Sequence, residues 1–499
     1  MLVTANKTIG TPRPEWVSME DQWARSRAIL GGLETALDYD STVRRRGRNL
    51  LVPFSYSMSE AQYAFLKLEA ELPCVTASFA KILVESLLRK RPTLELSDSE
   101  HQNWILDEFG QDGLPIEATL SDVLQEELAT GRAWVFVEHP AVDAAQLDAL
   151  SEEERRAIRP YPVIRQAEEV INWNYTSDAR GRRQLTFVLI RSWESTYAIG
   201  NVHPTVRQVL WHHYLNAEGN YAVGRWVGAA MDTLPTSAGR VEPASETSGF
   251  EFAGEVPVLV KGEPLRYIPA WPLSGKTELS LPPLMPLIQK EIGLYNKMTR
   301  RNHLLYNAST FTPVIISDLS DTEFDKVVGG GLGTWIKLPS DSKIDSLKTP
   351  TEALRDYETA ISNGLLEMAR LGVRMLSPET AQSGVALEIR NASQTAQLGA
   401  LNGSVSSTWR QVIRCMVHWY TGKEPALEDV KFSLSADYLS SDRDANALRL
   451  VTEWYENGHI PRDVWVTMLR ENNFLPDGYD DAEGLSRIRV KTAIPPLDE

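Results

Sequence analysis

The sequence predicts an α+β protein, and three observations support that class. Apolar residues recur at three- and four-residue spacing over long stretches, above all between Pro282 and Tyr420, which predicts helices. Residues 170–260 instead carry short runs rich in Val, Ile, Tyr and Trp, which are typical of antiparallel strands. At 499 residues the chain is too long for one hydrophobic core, so two to four lobes are expected.

The composition, with 42% apolar and 24% charged residues, is ordinary for a globular protein. No run of 18 apolar residues occurs, so we expect no membrane span, and the first residues lack the pattern of a signal peptide. The two cysteines, Cys74 and Cys415, lie in separate apolar helical stretches, which predicts buried thiols in a reducing compartment rather than a disulfide.

The charge balance limits the possible partners. A formal net charge of −16 argues against a protein that coats nucleic acid. It is compatible with a protein that lets DNA slide past, because an acidic wall repels phosphate while local basic groups guide it. Solubility alone would also explain this charge.

Residues 1–280 are predicted to form a mixed α+β region. Trp16 and Trp23 are expected to anchor peripheral helices, and helical spacing runs from residue 59 to 91. A helix capped by Ser121 should stop near Gly131, before the buried strand Ala133-Trp-Val-Phe-Val. Further strands are predicted at residues 170–173, 185–190, 206–215, 221–227 and 256–260.

Residues 281–424 are predicted to contain three long helices. The first, 281–310, follows the prolines Pro282 and Pro283, which suit a helix entrance. A small α/β insert should occupy 311–349, a second helix 350–376, a polar loop 377–388 and a third helix 389–424. Residues 425–499 should form an acidic helical end.

The segment Ala270-Trp-Pro-Leu-Ser-Gly-Lys-Thr fits a relaxed phosphate-binding loop, which would make the chain a nucleotide hydrolase using Lys276 and Thr277. That mechanism needs a helix to start at Lys276. Pro282 and Pro283 lie where this helix would run, so the hydrolase is only the second interpretation.

Two other motifs are explained without a ligand. Residues 442–453 have the carboxylate spacing of a calcium loop, but Ala447 stands where the turn needs glycine, so a helix capped by Ser441 is predicted. His212 and His213 are adjacent in a predicted strand and should point to opposite faces. We therefore predict no catalytic residue, no metal site and no cofactor.

The order of these elements, together with several short motifs, resembles the portal proteins of tailed bacteriophages. The motifs are Ser59-Glu-Ala-Gln-Tyr, Leu88-Arg-Lys-Arg-Pro, Gly131-Arg-Ala-Trp-Val-Phe-Val-Glu-His-Pro, Arg159-Pro-Tyr, Val170-Ile-Asn-Trp and Pro282-Pro-Leu-Met-Pro-Leu. The similarity spans roughly residues 10–485. The resemblance implies a homo-oligomeric ring, commonly of twelve subunits, through which DNA enters and leaves the capsid.

The resemblance also assigns the parts of the chain. Residues 1–280 would be the wing, 281–310 and 350–376 the stem, 311–349 the clip, 377–388 the tunnel loop, 389–424 the long wing helix and 425–499 the crown. The implied partners are the terminase packaging motor, a head–tail adaptor, the major capsid and scaffolding proteins, and double-stranded DNA. The implied location is the virion, after assembly in the host cytoplasm.

Three sets of residues are candidates for these roles. Lys290, Lys297, Arg300 and Arg301 would line the DNA channel, unless they pair with Asp356, Glu358 or other acids. Gln382, Ser383 and Gly384 would form the tunnel loop, where small or polar side chains put a tight grip on DNA in doubt. Phe311, Trp335 and Lys337 would lie in the clip that docks the motor and the adaptor.

Overall fold

The fold comes from a computed structural model, which describes only part of the chain. The described residues are 9–43, 49–53, 58–97, 100–140, 150–152, 154, 158–177, 181–197, 204–231, 249–309, 314–316, 318, 320–322, 324, 336–341, 352–376, 384–435, 452–453, 455–456, 462 and 465–466. The chain divides into two compact units, Met1–Ala436 and Asp437–Glu499. In the second unit the rings of Tyr455 and Trp465 stack with centroids 4.6 Å apart.

The first unit is α+β, as predicted. Its helices before residue 140 are α1 (Pro14–Leu30), α2 (Leu33–Val43), α3 (Glu60–Leu68), α4 (Val75–Leu87), α5 (Glu100–Asp107) and α6 (Ile116–Thr130). Trp16 and Trp23 are buried on α1, where their indole N–H groups donate to the Ala167 and Thr130 carbonyl oxygens. The prediction that both tryptophans anchor a helix is confirmed.

A five-stranded antiparallel sheet forms the centre of the β region. Its strands follow chain order: β4 (Val170–Ser177), β5 (Arg183–Thr196), β6 (Thr205–Leu215), β7 (Tyr221–Met231) and β8 (Glu251–Pro257). Strands that are consecutive in the chain pair as antiparallel neighbours, as expected from the short runs rich in Val, Ile, Tyr and Trp. The predicted strand 256–260 is divided, because β8 ends at Pro257 and a two-residue strand, β9 (Leu259–Val260), pairs with β10 (Glu263–Pro264).

A second, smaller sheet has three strands. Its strand order is β11 (Ala270–Pro272), β2 (Trp134–Glu138) and β3 (Tyr161–Arg165), so β2 is the central strand. Four of the five β2 residues are fully buried, which confirms the strand predicted from the continuous apolar run. β1 (Thr93–Leu96) pairs with β14 (Val430–Ser433), so a late segment of the first unit returns to its N-terminal part.

The long helices are α7 (Met285–Ser309), α8 (Glu352–Leu376) and α9 (Gly384–Thr421). Between α7 and α8 the strands β12 (Val314–Ile316) and β13 (Ile336–Leu338) pair in parallel. A short 3-10 turn, Leu427–Asp429, follows α9. Within the described residues, no helix is both long and apolar enough to cross a membrane.

Three predicted boundaries differ from the structure. The helical spacing from 59 to 91 is two helices, because Pro73 cannot donate an N–H and Cys74 has a left-handed φ of 53°. The helix expected from Ser121 begins at Ile116, preceded by Pro115 at the N-cap, although it stops before Gly131 as predicted. α9 begins at Gly384, so the helix starts inside the range 377–388 that was predicted as a loop.

The predicted burial of the two thiols is confirmed for Cys415 only. Cys415 is buried in α9, whereas Cys74 is only partly buried and precedes α4. Both are free thiols.

Candidate functional site: the α7–α8 helix pair

α7 has a buried apolar side. The buried residues of this side are Leu287, Ile288, Tyr295 and Met298, together with Leu284 just before the helix, and Ile292 is half-buried. A charged residue, Glu291, lies in the same buried stripe with no exposed surface. The stripe therefore holds a polar contact as well as apolar packing.

Glu291 caps the start of α4. Its two carboxylate oxygens accept hydrogen bonds from the backbone N–H groups of Val75 and Thr76 at 2.9 and 2.8 Å. The N-cap residue, Cys74, makes no side-chain cap of its own. A carboxylate at a helix N-terminus satisfies donors that lack a helical partner and faces the positive end of the helix dipole.

Other polar residues of α7 hold the N-terminal region at two more points. Asn296 donates to the Leu50 carbonyl at 2.6 Å and accepts from the Val52 N–H at 2.7 Å. Arg301 donates to Glu71 at 2.7 Å, and the His303 ring lies 2.7 Å from a Glu69 oxygen. α7 is therefore fixed to the residues before α4 along most of its length.

α8 lies antiparallel to α7. Lys290 forms an ion pair with Glu367, while Leu294, one turn further along α7, meets Gly364, which comes earlier on α8. A Cβ atom added to Gly364 would lie 2.5 Å from Leu294 Cδ2. The glycine therefore permits the close approach of the two helices.

An exposed group of charges lies beside this contact, and we call Lys290, Lys297, Glu367 and Arg370 the α7–α8 basic cluster. Lys290 is half exposed, and the pKa of Glu367 is lowered, first by its hydrogen bond and charge interaction with Lys290 and then by Lys297 and Arg370. Three cations thus act on one carboxylate, and Lys290 is in direct contact with it. The cluster keeps an excess of positive charge in an acidic chain.

The four predicted channel cations do not share one environment. Lys290 and Lys297 are exposed in the α7–α8 basic cluster, whereas Arg301 is mostly buried and pairs with Glu71. Arg300 is half-buried. Lys290 and Arg301 do pair with acids, namely Glu367 and Glu71, which belong to the other acids left open beside Asp356 and Glu358.

The predicted clip and loop residues are only partly described. Lys337 on β13 pairs with Asp321 at 2.8 Å, and its ammonium lies 5.9 Å from the centre of the Phe324 ring. Phe311, Trp335, Gln382 and Ser383 lie outside the described residues, as does most of the segment 442–453. Gly384 is the first residue of α9.

The segment that fits a phosphate-binding loop does not have the backbone of one. β11 runs from Ala270 to Pro272, a turn with Gly275 at φ +66° follows, and the next helix begins only at Met285. Lys276 and Thr277 instead present their carbonyl oxygens to Arg132, at 2.6 and 3.1 Å. The helix N-terminus that the hydrolase mechanism needs is absent at these described residues.

The adjacent histidines have separate surroundings. His213 is fully buried and its Nδ1 lies 2.6 Å from the Tyr221 hydroxyl, while His212 stacks on Tyr214. Burial lowers the pKa of His213 to about 3, so its imidazole is neutral. Among the described residues, no group of three His, Cys, Asp or Glu side chains could hold a metal ion.

Sequence reasoning missed Glu291, Asn296, Glu367 and Arg370. The role of Glu291 could have been predicted from the sequence, because a carboxylate inside an apolar helical stripe needs a buried partner. No sequence pattern marks Glu367 or Arg370, since their part in the cluster depends on how α8 packs against α7.

The structure therefore defines an α+β protein whose long antiparallel helix pair carries an exposed basic cluster. Residues 283–420, which span α7, the insert, α8 and most of α9, match the model of a family described as a domain of unknown function, DUF4055. This match covers less than half of the chain. No curated protein matches the chain significantly.

Proposed function

We propose that this chain is the portal protein of a tailed bacteriophage, which forms a ring at one capsid vertex through which genomic DNA is packaged and ejected. One observation carries the proposal. Two antiparallel 25-residue helices flank the insert between them and present the α7–α8 basic cluster on an exposed face. The order of elements and the motifs described above support the same conclusion.

The charge distribution suits a passage for DNA. In a ring, symmetry would repeat Lys290, Lys297 and Arg370 in every copy and so produce a basic band. The chain as a whole is acidic, with a net charge of −16, and an acidic wall repels phosphate. A narrow basic band in an acidic wall guides DNA without holding it, because each phosphate contact is exchanged for the next one.

The insert between α7 and α8 would be the clip. Its described residues include the exposed Asp318, whose carboxylate accepts from the Ser340 N–H at 3.1 Å, and the Lys337–Asp321 pair. These charged groups would contact the terminase packaging motor and later the head–tail adaptor. ATP hydrolysis belongs to the motor, and this chain acts as a structural protein without catalysis of its own.

The remaining partners follow from the same proposal. The chain assembles with itself, commonly as twelve copies, and contacts the major capsid and scaffolding proteins. Assembly takes place in the host cytoplasm, and the ring ends in the virion.

The first test is the mass and shape of the purified chain. Light scattering and negative-stain microscopy should reveal rings with a central hole and a mass that is a multiple of 55.9 kDa. If the chain stays monomeric, also when capsid and scaffolding proteins are expressed with it, the proposal is wrong.

The second test concerns the basic cluster. Lys290→Glu with Lys297→Glu should leave the ring intact but lower the DNA packaged per particle, because the basic band becomes acidic. Lys81→Glu with Lys431→Glu is the matched control, since both side chains are more than two-thirds exposed and lie on α4 and β14. Equal packaging by the two double variants would remove the proposed role of the cluster.

A further inference from the structure

A second basic region lies in a cavity of about 880 Å³ away from the α7–α8 pair. Its walls are the β11 turn, the start of β5, the residues before β11 and one side of α9. All the residues that line it belong to the first compact unit. The volume is that of a pocket for a small ligand rather than for a single ion.

The cavity concentrates positive charge. Five cationic side chains line it against two carboxylates, Glu278 and Glu424, so it has an excess of three positive charges in a chain of the opposite sign. The five cations are Arg182, Arg183, Arg266, Lys276 and Arg414. A concave site with one sign of charge focuses the field and raises the local concentration of counter-ions.

Three of these cations have N–H groups available to a ligand. Arg414 is occupied, because it pairs with Glu424 at 2.9 Å and donates to the Pro425 carbonyl at 2.7 Å. Arg266 and Lys276 are exposed, and no carboxylate among the described residues lies within ion-pair distance of either. Arg183 donates to the Thr277 hydroxyl and keeps further N–H groups for another acceptor.

Buried side chains hold the backbone of the turn that carries Lys276. The guanidinium of Arg132, which is 1% exposed, donates to the carbonyl oxygens of Lys276 and Thr277. The indole N–H of Trp173 also donates to the Thr277 carbonyl, at 3.3 Å. Three buried donors thus fix the backbone of a turn whose lysine side chain is free, and a preorganised site loses less entropy when it binds.

Part of the cavity lining is polar and aromatic. Trp271 and Tyr267, with ring centroids 6.4 Å apart, line the cavity beside Gln411 of α9. The Tyr267 hydroxyl lies 3.2 Å from His418 Nδ1, which fixes its ring. Such a wall can contact a planar group without adding negative charge.

We propose that this cavity binds a small ligand that carries a diphosphate group. Guanidinium groups match the geometry of phosphate oxygens, and a lysine adds a point charge, so Arg183, Arg266 and Lys276 together suit a multiply charged anion. The recognition differs from that of a phosphate-binding loop, because side-chain cations take the place of backbone N–H groups at a helix N-terminus. This inference is independent of the proposed DNA passage.

Isothermal titration calorimetry of the full chain with inorganic pyrophosphate tests the proposal. We expect saturable binding of one pyrophosphate per chain, and at least tenfold weaker binding for Arg266→Gln with Lys276→Gln. Both side chains are exposed, so the double variant should fold, and each single variant should show part of the loss. Lys81→Gln with Lys431→Gln removes the same formal charge elsewhere and should bind as the unchanged protein does.

A parallel titration with ADP identifies the source of the diphosphate. Tighter binding of ADP than of pyrophosphate would indicate that the cavity binds a nucleotide whose base contacts Trp271. Equal binding would indicate that it recognises the diphosphate group alone. The proposal is overturned if neither probe binds. It is equally overturned if the Arg266 and Lys276 double variant binds as tightly as the Lys81 and Lys431 control.

Discussion

The Glu291 carboxylate on α7 binds the Thr76 backbone N–H on α4 at 2.8 Å, although 215 residues separate them in the sequence. The second oxygen accepts from Val75, so one side chain satisfies two donors at the start of α4. This contact joins the long helix pair to the N-terminal helices. It explains how a charged residue is tolerated in a buried stripe.

Glu291→Gln should lower the free energy of unfolding by about 2–3 kcal/mol, because the new amide NH2 faces a backbone N–H and leaves it without an acceptor. Differential scanning calorimetry measures the effect. Glu85→Gln, at an exposed position of α4, is the control and should change stability by less than about 0.5 kcal/mol. Equal shifts for the two variants would show that the cap contributes nothing.

The close contact of α7 with α8 predicts opposite effects for two glycine substitutions. Gly364→Ala should destabilise the protein by about 1–2 kcal/mol, because its Cβ would overlap the buried Leu294 side chain. Gly293→Ala should stabilise it by up to about 1 kcal/mol, since nothing lies within 4 Å of the added Cβ and alanine favours helix.

Calorimetry of the two variants checks this prediction. Adding Leu294→Ala to Gly364→Ala should relieve the overlap, so the two changes should cost less together than the sum of their separate costs. Additive costs would contradict the overlap.

The buried carboxyl of Asp40 predicts a pH dependence. It accepts from the Leu50 and Leu51 N–H groups at 2.5 and 3.1 Å, and burial raises its pKa from 3.8 to about 6. The folded state therefore holds a proton that the unfolded state has lost between these two values. The contribution of Asp40 to stability is full below pH 3.8 and falls by about 3 kcal/mol as the pH rises through 6.

Asp40→Asn should remove this dependence, because the amide does not titrate. Between about pH 5 and about pH 7.5, the stability advantage of Asp40 over Asn should shrink by about 1.4 kcal/mol, the part of the shift that lies above pH 5. Unfolding free energies at the two pH values measure it. The exposed Asp38→Asn is the control, and an advantage of Asp40 that is constant with pH would refute the assignment.

The end of α6 depends on a left-handed glycine. Gly131 has φ +69°, and a Cβ added there would lie 3.1 Å from the Leu281 carbonyl oxygen, just before α7. Gly131→Ala should therefore lower the free energy of unfolding by more than the roughly 1–2 kcal/mol that left-handed strain alone costs. Gly113→Ala is the matched control, because Gly113 has φ +68° and open space around it. Equal losses of unfolding free energy would show that the contact with Leu281 does not matter.

The two thiols should differ in reactivity. Burial raises the pKa of the Cys415 thiol to about 12, and burial followed by the Glu291 charge raises that of the partly buried Cys74. A disulfide reagent at about pH 8 should label one thiol per folded chain, slowly, and both after unfolding, because only the thiolate reacts. Cys74→Ser should abolish labelling of the folded chain, and labelling that persists would contradict the burial of Cys415.

The comparison of α3 and α4 with their prediction shows where local patterns mislead. Apolar spacing continues through residues 59–91, so periodicity alone joins two helices that Pro73 and Cys74 separate. Cys74 adopts its left-handed backbone with the cap from Glu291 beside it, and that contact is absent from any local window of sequence. Lys276 gives the converse case, because a motif suggested a phosphate-binding loop, whereas the tertiary structure places this residue on a turn whose backbone is held by Arg132.

The sequence by itself determined the α+β class, the antiparallel strands from Val170 onward, the buried strand β2 and the long helices α7 to α9, because periodicity and turn residues act over a few neighbouring positions. Only the tertiary structure decided that Glu291 caps α4, that Lys290 pairs with Glu367, and that Arg266 and Lys276 line one cavity. These contacts join distant segments, and their geometry depends on the packing of whole helices and sheets, which no local pattern encodes.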